Sequence, residues 1–282
     1  MPSHEATIAA LLSRTASLAS VSDTPRLDLE VLLCHVMQQS RSYLYTWPER
    51  VVETLLVRRF EHLLERRMLG EPVAYLVGTK DFWSLSLHVN TSTLIPRPES
   101  ELLVETALEL IDRPEARVLD LGTGTGAIAL ALASERTRWR ILAVDIVAEA
   151  VELAKKNCHD LGLMNVSIAQ GDWFEHLTDQ RFDAIVSNPP YIEANDPHLR
   201  EGDVRFEPVS ALIAERNGLA EIEFIVTNAG QHLTTGGWLL VEHGYQQGHQ
   251  IRALLVSSGF GHVATRKDGG ARERVSLGCW QQ

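Results

Sequence analysis

Val118-Leu119-Asp120-Leu121 is a short apolar strand that runs into Gly122-Thr123-Gly124-Thr125-Gly126 and then into the apolar helix Ala127–Ala133. A strand, a tight turn and a crossover helix commit this part of the chain to a parallel α/β sheet. The pattern repeats: strand Arg140–Asp145 is joined by a helix over Ala148–Leu161 to strand Val166–Gln170, and Phe182–Ser187 is a further buried strand. Ligands of open α/β sheets bind outside the carboxyl ends of the strands. Residues at those ends are therefore the site candidates.

The first end carries Gly122, Thr123, Gly124, Thr125 and Gly126. Glycines tolerate φ > 0 and let backbone approach a ligand closely. Their spacing is Gly-x-Gly-x-Gly rather than Gly-x-Gly-x-x-Gly. The second end carries Asp145, about 20 residues past the loop, where an acid accepts hydrogen bonds from two ribose hydroxyls. The third leads to Gly171-Asp172-Trp173-Phe174, where Trp173 would stack on or wall in an adenine. A surface Asp145 and a core Trp173 are the plain alternatives; their recurrence at three successive strand ends favours a nucleoside site. After Ser187 comes Asn188-Pro189-Pro190-Tyr191. Two prolines stiffen the loop and leave its carbonyls as acceptors. Asn188 adds an acceptor and an NH2 donor, and Tyr191 a flat face. The set suits capture of a planar NH2-bearing group, against the alternative of a strand ended by a Pro-Pro turn.

In this order, the DLGTGTG, AVD, GDWF and NPPY stretches resemble a class I S-adenosylmethionine-dependent methyltransferase. The chain further resembles the release-factor glutamine methyltransferase family (PrmC, also called HemK), through Leu94–Glu101 (LIPRPESE), Arg205-Phe206-Glu207-Pro208 and Glu242–Gly248 (EHGYQQG). Ser100 departs from the threonine expected after RPE, and Ala214-Glu215 stands where Gly-Gly is common. The resemblance implies a Rossmann-like, mostly parallel seven-stranded sheet with an antiparallel C-terminal strand, preceded by a helical bundle and a β-hairpin linker. It implies N5-methylation of the glutamine of the Gly-Gly-Gln motif in class 1 peptide chain release factors, with S-adenosylmethionine as cofactor. Asn188, Pro189 and Tyr191 would be catalytic, and Asn188 to Tyr191 would bind substrate. Gly122 to Gly126, Asp145, Trp173 and Asn188 would bind the cofactor, and no metal is expected. The Asn188 side-chain oxygen and the Pro189 carbonyl would each accept one amide N–H while Tyr191 packs on the amide plane. Asp120 would meet the methionine ammonium through water or stabilise the loop, against the alternative of a structural acid at a strand end. Glu207 would order a lid, and Glu242-His243 offers either a general base or a structural hydrogen bond.

Residues 1–78 read as helices, with Ile8, Leu11, Leu12 and Leu18 along the first, Thr24-Pro25 opening the second and Pro48 opening another. His35 and His62 read as bundle residues, and the resemblance makes this bundle the recogniser of the protein substrate. In residues 79–96, period-2 alternation over Phe82–Val89 suggests one arm of a hairpin linking the bundle to a methyltransferase domain at 97–282. Arg97, Glu99 and Glu101 would anchor that linker or simply cap the helix Leu102–Leu110. Beyond a long loop after Tyr191 come a helix at Glu221–Leu233, a strand at Gly237–His243, a helix at Gln247–Ser257 and an antiparallel pair, His262–Lys267 with Arg274–Cys279.

The net charge of −11 over 282 residues disfavours non-specific nucleic-acid binding and suits a basic partner. Three scattered cysteines fit reduced thiols in a cytosol rather than a disulfide frame or zinc site. His4 and Glu5 stand where a leader would be basic, and no run is long enough to span a bilayer. A cytoplasmic monomer acting on release factors, without direct nucleic-acid or membrane contact, is expected. The rivals are an adenine-N6 nucleic-acid methyltransferase, a nicotinamide oxidoreductase and a non-catalytic adapter.

Overall fold

The computed structural model describes residues 6–282; residues 1–5, His4 and Glu5 among them, lie outside the described residues. The chain divides into two compact units. One runs up to Thr79 and includes Pro197–Phe206; the other comprises Lys80–Asp196 and Glu207–Gln282.

The first unit holds helices α1 (Ile8–Leu12), α2 (Pro25–Met37), α3 (Arg41–Thr46), α4 (Thr54–Met68) and α5 (Val73–Val77). Its core gathers Ile8, Leu12, Leu18, Leu29, Leu33, Phe60 and Leu64. The first helix is shorter than its apolar spacing suggests: Arg14–Leu18 is a 3-10 turn. Ser13 Oγ donates to the Ala10 carbonyl and Ser17 Oγ to that of Arg14, each at 2.7 Å, the local bonding by which serines compete with helix. Pro48 does not open α4, which begins after Glu53. Val51 instead bridges to Thr7, and the Val52 N–H bonds the Ala6 carbonyl at 2.9 Å. His35 and His62 are exposed.

Pro197–Phe206, read from sequence as part of the methyltransferase domain, belongs to the helical unit. The reason is the buried Arg67. Its guanidinium donates to Asp28 at 2.8 Å, to Asp203 at 2.9 Å and to the Val21, Gly70 and Glu71 carbonyls. Arg205 adds a bond to the Leu69 carbonyl at 3.1 Å.

The second unit opens with the hairpin β1 (Thr79–Phe82) and β2 (Leu85–His88). The alternating run is thus two strands rather than one arm. Trp83, at φ 57°, turns the chain, and its N–H and indole N–H are taken by Glu101 and Glu135, each at 2.7 Å. Then follow α6 (Glu101–Leu110), β3 (Arg117–Leu121), α7 (Ala127–Glu135), β4 (Arg140–Asp145), α8 (Ala148–Asp160), β5 (Val166–Gln170) and β6 (Phe182–Ser187). After the long loop come the single turn α9 (Glu215–Gly218), α10 (Ala220–Ala229), β7 (Leu233–Glu242), α11 (Gly248–Ser257), β8 (Phe260–Lys267) and β9 (Glu273–Trp280).

The seven-stranded sheet has the order β5-β4-β3-β6-β7-β9-β8. β3 to β7 pair in parallel, and β9 runs antiparallel to both its neighbours. This is the class I methyltransferase sheet that the motifs imply. Side chains of α6 and α7 fill one face, and those of α10 and α11 the other. Chain order reverses between β3 and β6, which opens a crevice at their carboxyl ends.

Arg67→Ala would leave Asp28 buried without its cation, a change worth about 3–5 kcal/mol. Urea denaturation of the full chain should show that loss, against less than about 1 kcal/mol for Arg14→Ala on the exposed Arg14–Glu61 pair. Equal losses would remove Arg67 as the unit's central tie.

Candidate functional site

Register brings the strand ends to one level. Leu121 lies opposite Val144 on one side and Ser187 on the other, and Asp145 lies opposite Gln170. The loops that follow line one cavity of about 910 Å³, within the range of small-molecule sites. Gly122, Thr123, Gly124, Thr125, Asp145, Trp173, Asn188 and Pro190 are on its wall, joined by Thr93, Arg97, Ser100, Glu221 and Phe224.

Four of the glycine loop's five N–H groups are bonded within the protein. Those of Gly122 and Thr123 bond the Val144 carbonyl at 2.9 and 3.0 Å, and that of Gly126 bonds the Thr123 carbonyl at 2.8 Å. The Gly124 N–H bonds Asp145 Oδ2 at 2.8 Å. A phosphate cradle needs free N–H donors, so this geometry disfavours a dinucleotide. Gly126 is off the wall. It starts α7 at φ 86°, and a Cβ there would press on Leu130.

Asp145 Oδ1 accepts from the Val147 N–H at 2.9 Å. Each carboxylate oxygen thus takes one backbone N–H and keeps capacity for a second donor, the arrangement a vicinal diol requires. Trp173 adopts φ 47° and packs over Gly122. Its indole N–H donates to Glu221 at 2.9 Å. The sequence reading did not single out Glu221, because that partner comes from a helix 48 residues on. Asn157 was missed for the same reason: it is buried, bonds the Thr125 carbonyl at 2.9 Å and pairs with both backbone groups of His88.

Asp120 is fully buried and accepts the Thr123 hydroxyl at 2.6 Å, which favours the loop-stabilising alternative. Burial pushes its carboxyl up to about 7. Glu207 is held by Arg97 through both carboxylate oxygens at 2.8 and 2.7 Å, fastening the long loop to the segment before α6. Arg97 is the anchor that the sequence suggested, whereas Glu101 anchors the Trp83 turn.

The tetrad divides. Asn188 and Pro190 reach the cavity; Pro189 and Tyr191 are not on its wall. Asn188 Nδ2 donates to Ser100 Oγ at 3.0 Å, so the acceptor end of the amide is left for a ligand. The Tyr191 hydroxyl donates to Glu242 Oε1 at 3.3 Å. Tyr191 therefore anchors the loop from behind instead of lying flat on a substrate amide. Glu242 is buried and off the cavity wall, and burial raises its carboxyl to about 7. The buried ring of His243 contacts the Gly244 carbonyl at 2.9 Å and Ser276 Oγ at 2.8 Å, and burial lowers its pKa. The neutral ring donates to the carbonyl and accepts from the serine, so its role is structural. Among the described residues no cluster of three or more metal-ligating side chains exists.

Two expectations follow. Gly218 has φ 78°, and a Cβ there would run into the Tyr191 carbonyl. Gly218→Ala should therefore lower Tm far more than Gly236→Ala, where φ is 80° but the space is open; similar Tm values would contradict the packing. The second concerns Asp120. Its folded pKa lies above its ordinary 3.8, so the folded state holds the extra proton and stability falls as pH rises from about 4 to about 7. Asp120→Asn should shrink the difference in Tm between about pH 5 and about pH 8, read by calorimetry.

Residues 9–78 match the family model of the PrmC N-terminal domain, and residues 98–202 that of the methyltransferase small domain. A release factor glutamine methyltransferase of Pseudomonas aeruginosa is 56% identical over 259 residues, 92% of this chain and 94% of its own. That of Aliivibrio fischeri is 50% identical over 276 residues, 97% of each chain, and that of Escherichia coli 47% over 271 residues, 96% and 98%. Among solved structures, a Pyrococcus furiosus methyltransferase aligns over 79% of this chain and 100% of its own, at TM-score 0.55 and 18% identity. The catalytic domain of hMettl16, in complex with an MAT2A 3′UTR hairpin, aligns over 78% and 82% at TM-score 0.59 and 18% identity. At such identity the two structures speak to the fold alone.

Proposed function

This chain belongs to the release factor glutamine methyltransferase family, and from that membership we propose that it methylates, at N5, the Gly-Gly-Gln glutamine of class 1 peptide chain release factors in the cytoplasm, as part of translation termination. The observation that carries the chemistry is Asn188 on the same cavity wall as Gly122–Thr125 and Asp145. The cavity suits S-adenosylmethionine: it offers a diol acceptor in Asp145, an indole wall in Trp173 and a loop most of whose donors are already spent. S-adenosylmethionine, when bound, supplies a methyl group made electrophilic by its sulfonium.

The chain's own task is to present a poor nucleophile. The amide lone pair is delocalised, the resonance behind a rotation barrier of about 18–20 kcal/mol. Orientation can contribute about 7–11 kcal/mol, and preorganised acceptors stabilise charge that develops on nitrogen. Asn188 Oδ1 takes an N–H of the glutamine amide, turning its lone pair toward the methyl. Pro190 keeps the loop stiff, Tyr191 anchors it on Glu242, and the proton leaves to water. The helical unit recognises the release factor, and the protein works as a monomer without direct nucleic-acid or membrane contact.

Mass spectrometry of a release factor incubated with the protein and S-adenosylmethionine should find one added methyl on that glutamine. Methyladenine in a parallel duplex-DNA sample, with none on the factor, would instead favour the adenine-N6 reading. Asn188→Ala should cut kcat by about 10²-fold or more, while calorimetry finds the affinity for S-adenosylmethionine changed much less. Equal losses in both would assign Asn188 to cofactor binding alone.

A further inference from the structure

Gln247 stands in the turn between β7 and α11, and its half-buried side chain is off the cavity wall. It nevertheless holds two segments that form that wall. Oε1 accepts the Gly244 N–H at 2.8 Å. A side-chain amide has one acceptor end and one donor end, so this bond fixes its direction. Nε2 is thereby turned toward the Tyr191, Asn217 and Gly218 carbonyls, at 3.1, 3.3 and 3.4 Å. Tyr191 ends the tetrad loop. Asn217 and Gly218 directly follow the wall residues Ile213, Glu215 and Arg216. The two segments also meet where the Ile192 N–H bonds the Leu212 carbonyl at 2.9 Å and the Ala214 N–H bonds the Ile192 carbonyl at 3.0 Å. Past Ala214 that pairing stops. Arg216, Asn217 and Gly218 turn the chain in the left-handed region, at φ 53°, 59° and 78°. Non-glycine residues persist there only where their surroundings over-determine them. The Gln247 amide is one such tie, and the Arg216–Glu223 ion pair at 2.6 Å is another.

We propose that Gln247 is a positioning residue, which locks the Tyr191 backbone, and with it Asn188, to the Arg216–Gly218 turn so that the two wall segments keep one spacing. The inference rests on the methyltransferase reading and deepens it. Pro189 and Pro190 have fixed φ, so the path from Tyr191 back to Asn188 has few ways to absorb a shift. Tyr191 is gripped twice, by its hydroxyl on Glu242 at 3.3 Å and by its carbonyl on Gln247 at 3.1 Å. The first grip acts through a side chain with its own rotatable bonds, whereas the second acts on the main chain itself. Gln247 has two amide protons for three carbonyls, and the shortest contact is the one to Tyr191. Packing leaves the amide little freedom: a Cβ on Gly244 would stand 3.1 Å from its Oε1, and one on Gly218 3.0 Å from its Nε2. Among the described residues its hydrogen bonds reach neither the glycine loop nor Asp145. Gln247 therefore acts on the group that receives the substrate amide and leaves the cofactor contacts alone.

The test is kcat of the full-length protein on a release factor, well below Tm, with the Kd for S-adenosylmethionine from calorimetry. Gln247→Met keeps the length of the side chain and removes its hydrogen bonds. It should run about 10-fold to 100-fold slower, with Kd changed less than about 3-fold. The decisive comparison is made in the Asn188→Ala background. A residue that works by placing Asn188 has nothing left to place there, so adding Gln247→Met should slow the enzyme by less than about 2-fold. A merely structural role would cost the same factor in both backgrounds, and that result overturns the proposal. So does a kcat of Gln247→Met within about 2-fold of wild type, or a loss of cofactor affinity equal to the loss of kcat. Should Gln247→Met not fold, Gln247→Glu carries the same expectations: it keeps the shape and the acceptor for Gly244, and sets an oxygen against the three carbonyls. Absence of any methyl transfer by wild type would remove the functional reading and this role with it. Wild-type transfer with equal losses in the two backgrounds would remove the positioning role alone.

Discussion

The site depends on the register of β3 with its two neighbours. Leu121 faces Val144 and Ser187 in one row, so three loops leave the sheet at the same height. A one-residue slip would turn every side chain of β3 to the other face. Leu119 and Leu121 pack on one face of the sheet, and Val118 on the other, so such a slip would exchange the two packed layers. The hydrophobic layers thereby set where the glycine loop, Asp145 and Asn188 meet. The chemistry is borrowed from packing that has no chemical role itself.

Much of this was legible in the chain. Short apolar runs separated by helical segments announce a parallel sheet, and ligand-facing residues collect at its strand ends. Asp145, Trp173 and Asn188 could be found because each ends such a run or lies within three residues of its end. What could not be read was the support behind them. Ser100 meets Asn188 across 88 residues of sequence, and Arg97 meets Glu207 across 110. Nothing local encodes such pairings, because they come from how elements fold back on the sheet. The small misreadings have local causes. Serine hydroxyls end α1 early, and an alternating run conceals a turn at Trp83, since period 2 continues through a tight hairpin. Pro197–Phe206 joins the helical unit through bonds of Arg67 to Asp203 and of Arg205 to the Leu69 carbonyl, pairings across 136 residues that no local pattern shows.

Glycine-rich loops after a first strand are often read as anion sites. Here three glycines perform a different task. Their N–H groups close the loop on Val144, Asp145 and Thr123, and the buried Asp120 steadies it through the Thr123 hydroxyl. A loop with most of its donors turned inward offers little to an anion. The same sequence signature thus does not by itself specify an anion site; where its N–H groups are spent decides.

Asn157 gives the site a reach beyond its own loops. Its side chain bonds the Thr125 carbonyl and both backbone groups of His88, so the hairpin strand and the glycine loop share one buried amide. Opening either one would leave part of the buried Asn157 amide without its partner. Hydrogen exchange at the His88 amide should therefore register changes in the glycine loop, through the one side chain they share. A strand with no residue at the strand-end loops thus acts as a remote reporter of occupancy.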